Sequence, residues 1–217
     1  MPLNFHELGR SSLLAAAFAA GSALAADAVD AEDQTQHRDG ESLASADRTR
    51  LVDFTDAQAN RQWRMVNDNV MGGRSLGDVE FIDGVMRFHG SINTNGGGFS
   101  SVRLRIEPGT LAGAEAIVMR VKSDGRQPYR LMVMDDQRWR GRLVSHRGEL
   151  PIDPERIGQW QTVTIDVDDL APSWRGNSVN ADELDPARAF EIGLNLNDTE
   201  DGPFELKVDW IDVVRGD

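Results

Sequence analysis

From Leu51 onward the apolar residues of this chain recur at every second position, not at every third or fourth. Ile117, Met119 and Val121 alternate with Ala116, Val118 and Arg120. Phe190, Ile192, Leu194 and Leu196 alternate with Glu191, Gly193, Asn195 and Asn197, and Phe204, Leu206, Val208 and Trp210 with Glu205, Lys207 and Asp209. A period of two sends successive side chains to opposite faces of an extended chain, so these are strands with one buried face. The same reading covers 51–54, 79–82, 85–92, 99–106, 129–134, 141–145 and 160–167, set apart by the turn signals Asp83-Gly84, Ser123-Asp124-Gly125 and Asp201-Gly202-Pro203. Trp160 and Trp210 fall on this alternation and are expected in the core. About ten strands without a long helix must cover one another, which predicts an all-β sandwich of two antiparallel sheets. Short helical turns are expected only at 153–157 and 185–189.

The first 50 residues break the pattern. Arg10 precedes SSLLAAAFAAGSALA, and Ala23-Leu24-Ala25 has the small-x-small form of a signal-peptidase site. A signal peptide over 1–25 is expected, with a retained anchor as the alternative; the apolar run is shorter than the ~20 residues that span a bilayer. Residues 26–50 are polar, acidic and free of aromatics, and read as a disordered linker. The folded domain is expected over 51–214, in the periplasm or secreted, without stable membrane insertion once the signal is removed.

Charge and cysteine content narrow the function. The 217 residues carry 23 basic and 36 acidic side chains, a net charge of -13. Eight acids and four bases fall in the first 50 residues, leaving 28 against 19 for the domain. Such a balance repels nucleic-acid backbones. With no cysteine there is no disulfide framework, no thiolate nucleophile and no cysteine-ligated metal.

Two glycine-rich stretches stand out, WRMVNDNVMGGRS from Trp63 and NTNGGGFSSVR from Asn93. Together with QWQTVTIDVDDLAPSWRG and LDPARAFEIGLNLNDTEDGPFELKVDWI they resemble the complex I intermediate-associated protein family. That resemblance implies a galactose-binding-like jelly roll, the fold of many carbohydrate-binding modules. It also implies a non-catalytic assembly or chaperone-like factor that binds other proteins.

The candidate site residues lie in and around these loops. Asn67 and Asp68 are short polar side chains suited to bonding nearby backbone, and Gly72, Gly73 and Gly97 relax backbone limits. The loops then offer backbone groups to a ligand, or Asn67 and Asp68 hold the end of the sandwich together; both readings stand here. Asn95 sits at the tip of the second loop. Arg103 is expected to pair with Asp68 or to reach an external carboxylate or hydroxyl, since a partly buried arginine needs a partner. Trp139 and Trp174 serve as a sugar-stacking platform, an interface anchor or core, with Asn195 on a neighbouring strand. GGG lacks the lysine and following helix of a phosphate-binding loop.

Catalysis finds no triad or singled-out carboxylate pair, and no cofactor is expected. The turn of Asp198, Glu200 and Asp201 is oxygen-rich, but the twelve-residue calcium-loop pattern is absent, and no metal is expected. Two functions follow: an exported protein-binding factor, as the family resemblance implies, or a glycan-binding module, as the jelly-roll resemblance and the export signal suggest together.

Overall fold

The computed structural model describes residues 47–216. The expected signal peptide and nearly all of the expected linker lie outside them. In chain order the strands are β1 Asp47–Val52, β2 Arg64–Asn67, β3 Leu76–Ile82, β4 Val85–Ile92, β5 Ser100–Arg105, β6 Ala114–Ser123, β7 Tyr129–Met134 and β8 Arg138–Trp139. Then follow β9 Arg142–Leu143, β10 Ser145–Glu149, β11 Gln161–Asp166, β12 Ala171–Trp174, β13 Asn177–Ser178, β14 Glu191–Leu196 and β15 Gly202–Arg215. One α-helical turn, α1 Ala57–Asn60, is capped by the Asp56 carboxylate, which accepts from the N–H groups of Gln58 and Ala59.

The strands form two large antiparallel sheets, an all-β sandwich as expected. The six-stranded sheet runs β11-β6-β15-β4-β3, with β1 beside the C-terminal half of β15; the seven-stranded sheet runs β13-β12-β10-β7-β14-β5-β2. Between them lie Met86, Phe88, Ile117, Met119, Val121, Leu206 and Val208 from the first sheet and Val102, Leu131, Val133, Ile192, Leu194 and Leu196 from the second. Each large side chain removed from water contributes about 1.5–3 kcal/mol, so this interdigitated layer is the main source of stability.

Three departures from the alternation have physical causes. β1 begins at Asp47, four residues before the expected domain start, because its polar DRTR run is held by hydrogen bonds to β15 and not by apolar burial. Arg48 donates to Asp212 at 2.7 Å, Arg50 bonds the same carboxylate, and both guanidinium groups lie 4.8 Å from the Trp210 ring centre. In β15 a register shift between Val208 and Trp210 reverses the alternation. Ile211 and Val213 therefore take the core positions and Trp210 turns outward onto Ala116, Val118 and Val214. Trp160 is also only half-buried, with Arg120 over its ring at 5.2 Å. Neither tryptophan joins the central core. Finally, the strand expected at 141–145 divides at Val144, its first part pairing with β8 and its second continuing as β10.

Candidate functional site

The two glycine loops close around one carboxylate. Asp68 is fully buried; Oδ1 accepts from the Ser75 N–H at 2.9 Å, and Oδ2 from the Ser75 hydroxyl at 2.5 Å and the Gly98 N–H at 2.6 Å, with a longer bond of 3.4 Å from Phe99 N–H. Burial pushes this carboxyl up, but the Ser75 hydroxyl and the three N–H groups together outweigh it and hold it below the ordinary value. The glycines make room: a Cβ on Gly73 would stand 2.2 Å from Asp68 Cγ, and one on Gly97 2.3 Å from Oδ2. Gly72 has φ +90° and closes the short helical turn that begins at Asp68.

Asn67 is likewise engaged internally, accepting from the Ser100 hydroxyl at 2.7 Å and donating to the Gly77 carbonyl at 3.1 Å. Asn95 is exposed on the second loop, its N–H donating to Asn93 Oδ1. Asp68 thus joins the two loops to each other, and Asn67 ties the end of β2 to β3 and β5.

Arg103 does not pair with Asp68, whose oxygens are met by neutral donors. It donates to Ser101 Oγ at 3.1 Å and to Glu191 Oε1 at 3.4 Å, the second oxygen of Glu191 being taken by Arg64. The cause is strand parity. Arg103 points to the side of the seven-stranded sheet away from the core, with Glu191 two residues along β14 from its neighbour Gly193.

That outer side carries a row of charge. Cross-strand pairing sets Arg64, Arg103, Gly193, Met132 and Arg147 in line, with Ser101, Asn195, Arg130 and Glu149 in the adjoining row. Gly193 has no side chain because a Cβ would meet the Val102 carbonyl at 2.4 Å and the Arg103 Cγ at 3.2 Å, so Arg103 can lie close over the strand. Met132 and Asn195, each 1% exposed, form a floor beneath the arginines. Asn195 donates to the Ser100 carbonyl at 3.1 Å and is not displayed together with Trp139 and Trp174. Arg130 reaches Glu149 at 2.7 Å and the Asn197 carbonyl at 3.1 Å. Arg147 donates to Ser145 Oγ at 3.2 Å and has no carboxylate partner among the described residues. Burial, then the nearby positive charges of Arg103 and Arg130, pull its pKa down to about 10.

Beside this row the hairpin of β12 and β13 supplies a wall. A Cβ on Gly176 at its turn would stand 3.0 Å from Asn197 Nδ2 and 3.9 Å from Arg147 Nη1. Beside the turn, at the end of β12, Trp174 packs on Trp139 of β8, ring centres 5.9 Å apart; the pairing of Arg147 with Ala171 and of Ser145 with Ser173 gives Trp174 the strand parity opposite to the arginines. Both are half-buried. Arg140 lies 4.6 Å from the Trp139 ring centre, and Arg142 and Arg175 lie 4.7 and 4.9 Å from that of Trp174.

A family model described as complex I intermediate-associated protein 30 (CIA30) matches residues 52–208, from the end of β1 into β15. The chain belongs to that family. Its CIA30 domain therefore includes both glycine loops and the arginine row. Among solved structures, the family 11 carbohydrate-binding module from Clostridium thermocellum in complex with a β-1,3-1,4-mixed-linked tetrasaccharide matches with TM-score 0.55 at 16% identity, covering 78% of this chain and 96% of that one. The solution structure of CtCBM11 matches with TM-score 0.57 at 13% identity, covering 80% and 98%. At such identity the likeness shows the fold, a carbohydrate-binding-module type of β-sandwich. A search of curated proteins finds no match.

Elsewhere in the CIA30 domain, the acidic turn at Asp198 to Asp201 already holds a cation, the guanidinium of Arg126. It bonds both Asp198 oxygens, at 2.5 and 3.1 Å, the Glu200 carbonyl, and the carbonyls of Gly202 and Pro203 at 2.6 and 2.8 Å. Asp201 accepts from the Thr94 N–H at 2.6 Å. Sequence reasoning missed Arg147, Arg130 and Glu191. The signal for Arg147 was the alternation of Ser145, Arg147 and Glu149 against His146 and Gly148, which marks a polar outward face.

Proposed function

We propose that this domain is a non-catalytic, exported binding module and that its ligand is a glycan lying along the outer side of the seven-stranded sheet, over the arginine row and toward the sheet end that carries the Trp139–Trp174 pair. The supporting observation is the row of long polar side chains over a buried floor of Met132 and Asn195, with a half-buried tryptophan pair at the end of the same sheet, an arrangement that suits a hydroxyl-rich ligand. The glycine loops hold the sheet end in place and do not touch the ligand. An affinity-gel panel of polysaccharides tests the reading. Retardation by at least one polysaccharide, reduced in Trp139→Ala and Trp174→Ala, is expected; no retardation by any would refute it. Hydrolysis of a retained glycan, abolished by a single carboxylate substitution, would refute the non-catalytic part.

A second reading, binding of a protein partner, is favoured by one feature. Val70, Met71 and Leu76 are exposed around the first glycine loop, Val70 at 70% and Leu76 at 75%. Exposed apolar clusters of this kind mark interaction sites. Pull-down from envelope extract with wild type and Val70→Asp separates the two: a defined protein lost with that variant, and no glycan binding, would favour the partner reading.

A further inference from the structure

We propose that the saccharide bound on this face is anionic, its carboxylate or sulfate groups received by Arg147 together with Arg103 and Arg130. The inference rests on the glycan-binding reading above and names the class of glycan.

Three observations carry it. First, Arg147 presents five N–H donors and, among the described residues, uses one, on Ser145 Oγ, although acids outnumber bases in this domain. Strand pairing gives it Met132 and Ala171 as neighbours where a carboxylate would ordinarily sit. Second, the acids on the same face are already engaged, Glu191 by Arg64 and Arg103 and Glu149 by Arg130. With those acids taken, Arg147 is left beside Arg103 and Arg130 without a carboxylate of its own among the described residues, a charge that is costly unless a counter-charge arrives, and a planar guanidinium fork matches carboxylate and sulfate oxygens. Third, the faces of Trp139 and Trp174 are occupied by Arg140, Arg142 and Arg175, none of which pairs with a carboxylate among the described residues. A neutral sugar would have to displace these guanidinium groups to stack, whereas an acidic sugar would be met by them. The acidic remainder of the domain opposes approach only over distances that salt screens, about 10 Å at 0.1 M, so the local cluster decides.

Titration calorimetry of the purified domain tests this with oligogalacturonate, its carboxyl-reduced derivative, dextran sulfate, unsulfated dextran and polyglutamate. Oligogalacturonate or dextran sulfate is expected to bind at least about tenfold more tightly than its uncharged counterpart, the size of one lost charge-assisted hydrogen bond. Whichever of the two binds more tightly identifies the acidic group. Arg147→Gln should lose that preference while melting no lower than wild type. Arg147→Lys, which keeps the charge but not the fork, should retain part of it, and serves as the variant if Arg147→Gln does not fold. Equal binding of charged and uncharged saccharides, or an unchanged preference in either variant, overturns the anionic proposal and leaves the glycan reading standing. Polyglutamate binding as tightly as the acidic saccharides overturns it in favour of an acidic protein partner. Binding to none of the saccharides removes both.

Discussion

Replacing Asp68 by asparagine changes one atom and tests how the two glycine loops are joined. The amide retains a single acceptor. Placed where Oδ2 now sits, it still receives the Ser75 hydroxyl and the N–H groups of Gly98 and Phe99, but its NH2 then faces the Ser75 N–H, now 2.9 Å from Oδ1. One bond becomes a donor–donor contact, and the others lose their charge assistance at a site from which water is excluded. Bonds to charged groups contribute about 1.5–3 kcal/mol each, so the net cost is about 2–4 kcal/mol. In a domain of this size each kcal/mol moves Tm by about 2–4 °C, which gives a drop of about 5–15 °C in thermal unfolding followed by circular dichroism at pH 7. The pH dependence has a definite sign. The folded carboxyl titrates below its ordinary 3.8, so its contribution is complete above that value and disappears as pH falls through the folded pKa. The gap between wild type and Asp68→Asn should therefore close in acid. Equal stability at pH 7, or a gap that stays constant in still-folded protein at about pH 2.5, would refute the account.

The glycines around this carboxylate should differ in kind. Gly97→Ala, whose Cβ would meet Asp68 Oδ2 at 2.3 Å, is expected to lose about 2 kcal/mol or more in urea unfolding, while Gly72→Ala, open but at φ +90°, loses about 1; equal costs would contradict the packing argument. Arg147→Met should raise the stability of the unliganded domain, by about 1–2 kcal/mol once the depression of its pKa to about 10 is discounted for partial exposure. A lower Tm in that variant would show that Arg147 stabilises the fold and is not a charge held for a ligand. Arg126→Met leaves Asp198, 2% exposed, without its cation and should cost about 3 kcal/mol or more in the same urea assay.

Strand positions were legible wherever alternation alone decides them, as at Val85–Ile92 and Tyr129–Met134, which the structure reproduces to the residue. They were hidden where backbone pairing outweighs apolar burial. β2 is four residues leading into a glycine loop, β12 contains Pro172, and the first four residues of β1 are polar. The bulge at Trp210 was invisible because Phe204, Leu206, Val208 and Trp210 continue the period while the chain does not. In the candidate site the sequence marked the glycine loops and Asp68 but not what they close on, since that depends on the approach of Gly73 and Gly97 to a carboxylate that only the folded pairing of the loops creates. Arg103 was assigned the wrong acid for a related reason. Glu191 lies 88 residues further along, and only the pairing of β5 with β14 brings the two together.

The pairing of Asp47 with Arg215 has a practical consequence for how this protein is held and studied. Both ends of the described chain leave from neighbouring positions on the six-stranded sheet, whereas the arginine row lies on the outer side of the seven-stranded one. A fluorophore attached at Asp47 or Arg215 would thus sit on the layer opposite the proposed ligand face. Held through those two positions, the domain can be titrated with long polymers without its support competing for the same side, and a signal that differs between attachment at Asp47 and at Arg215 would point to contacts away from the arginine row.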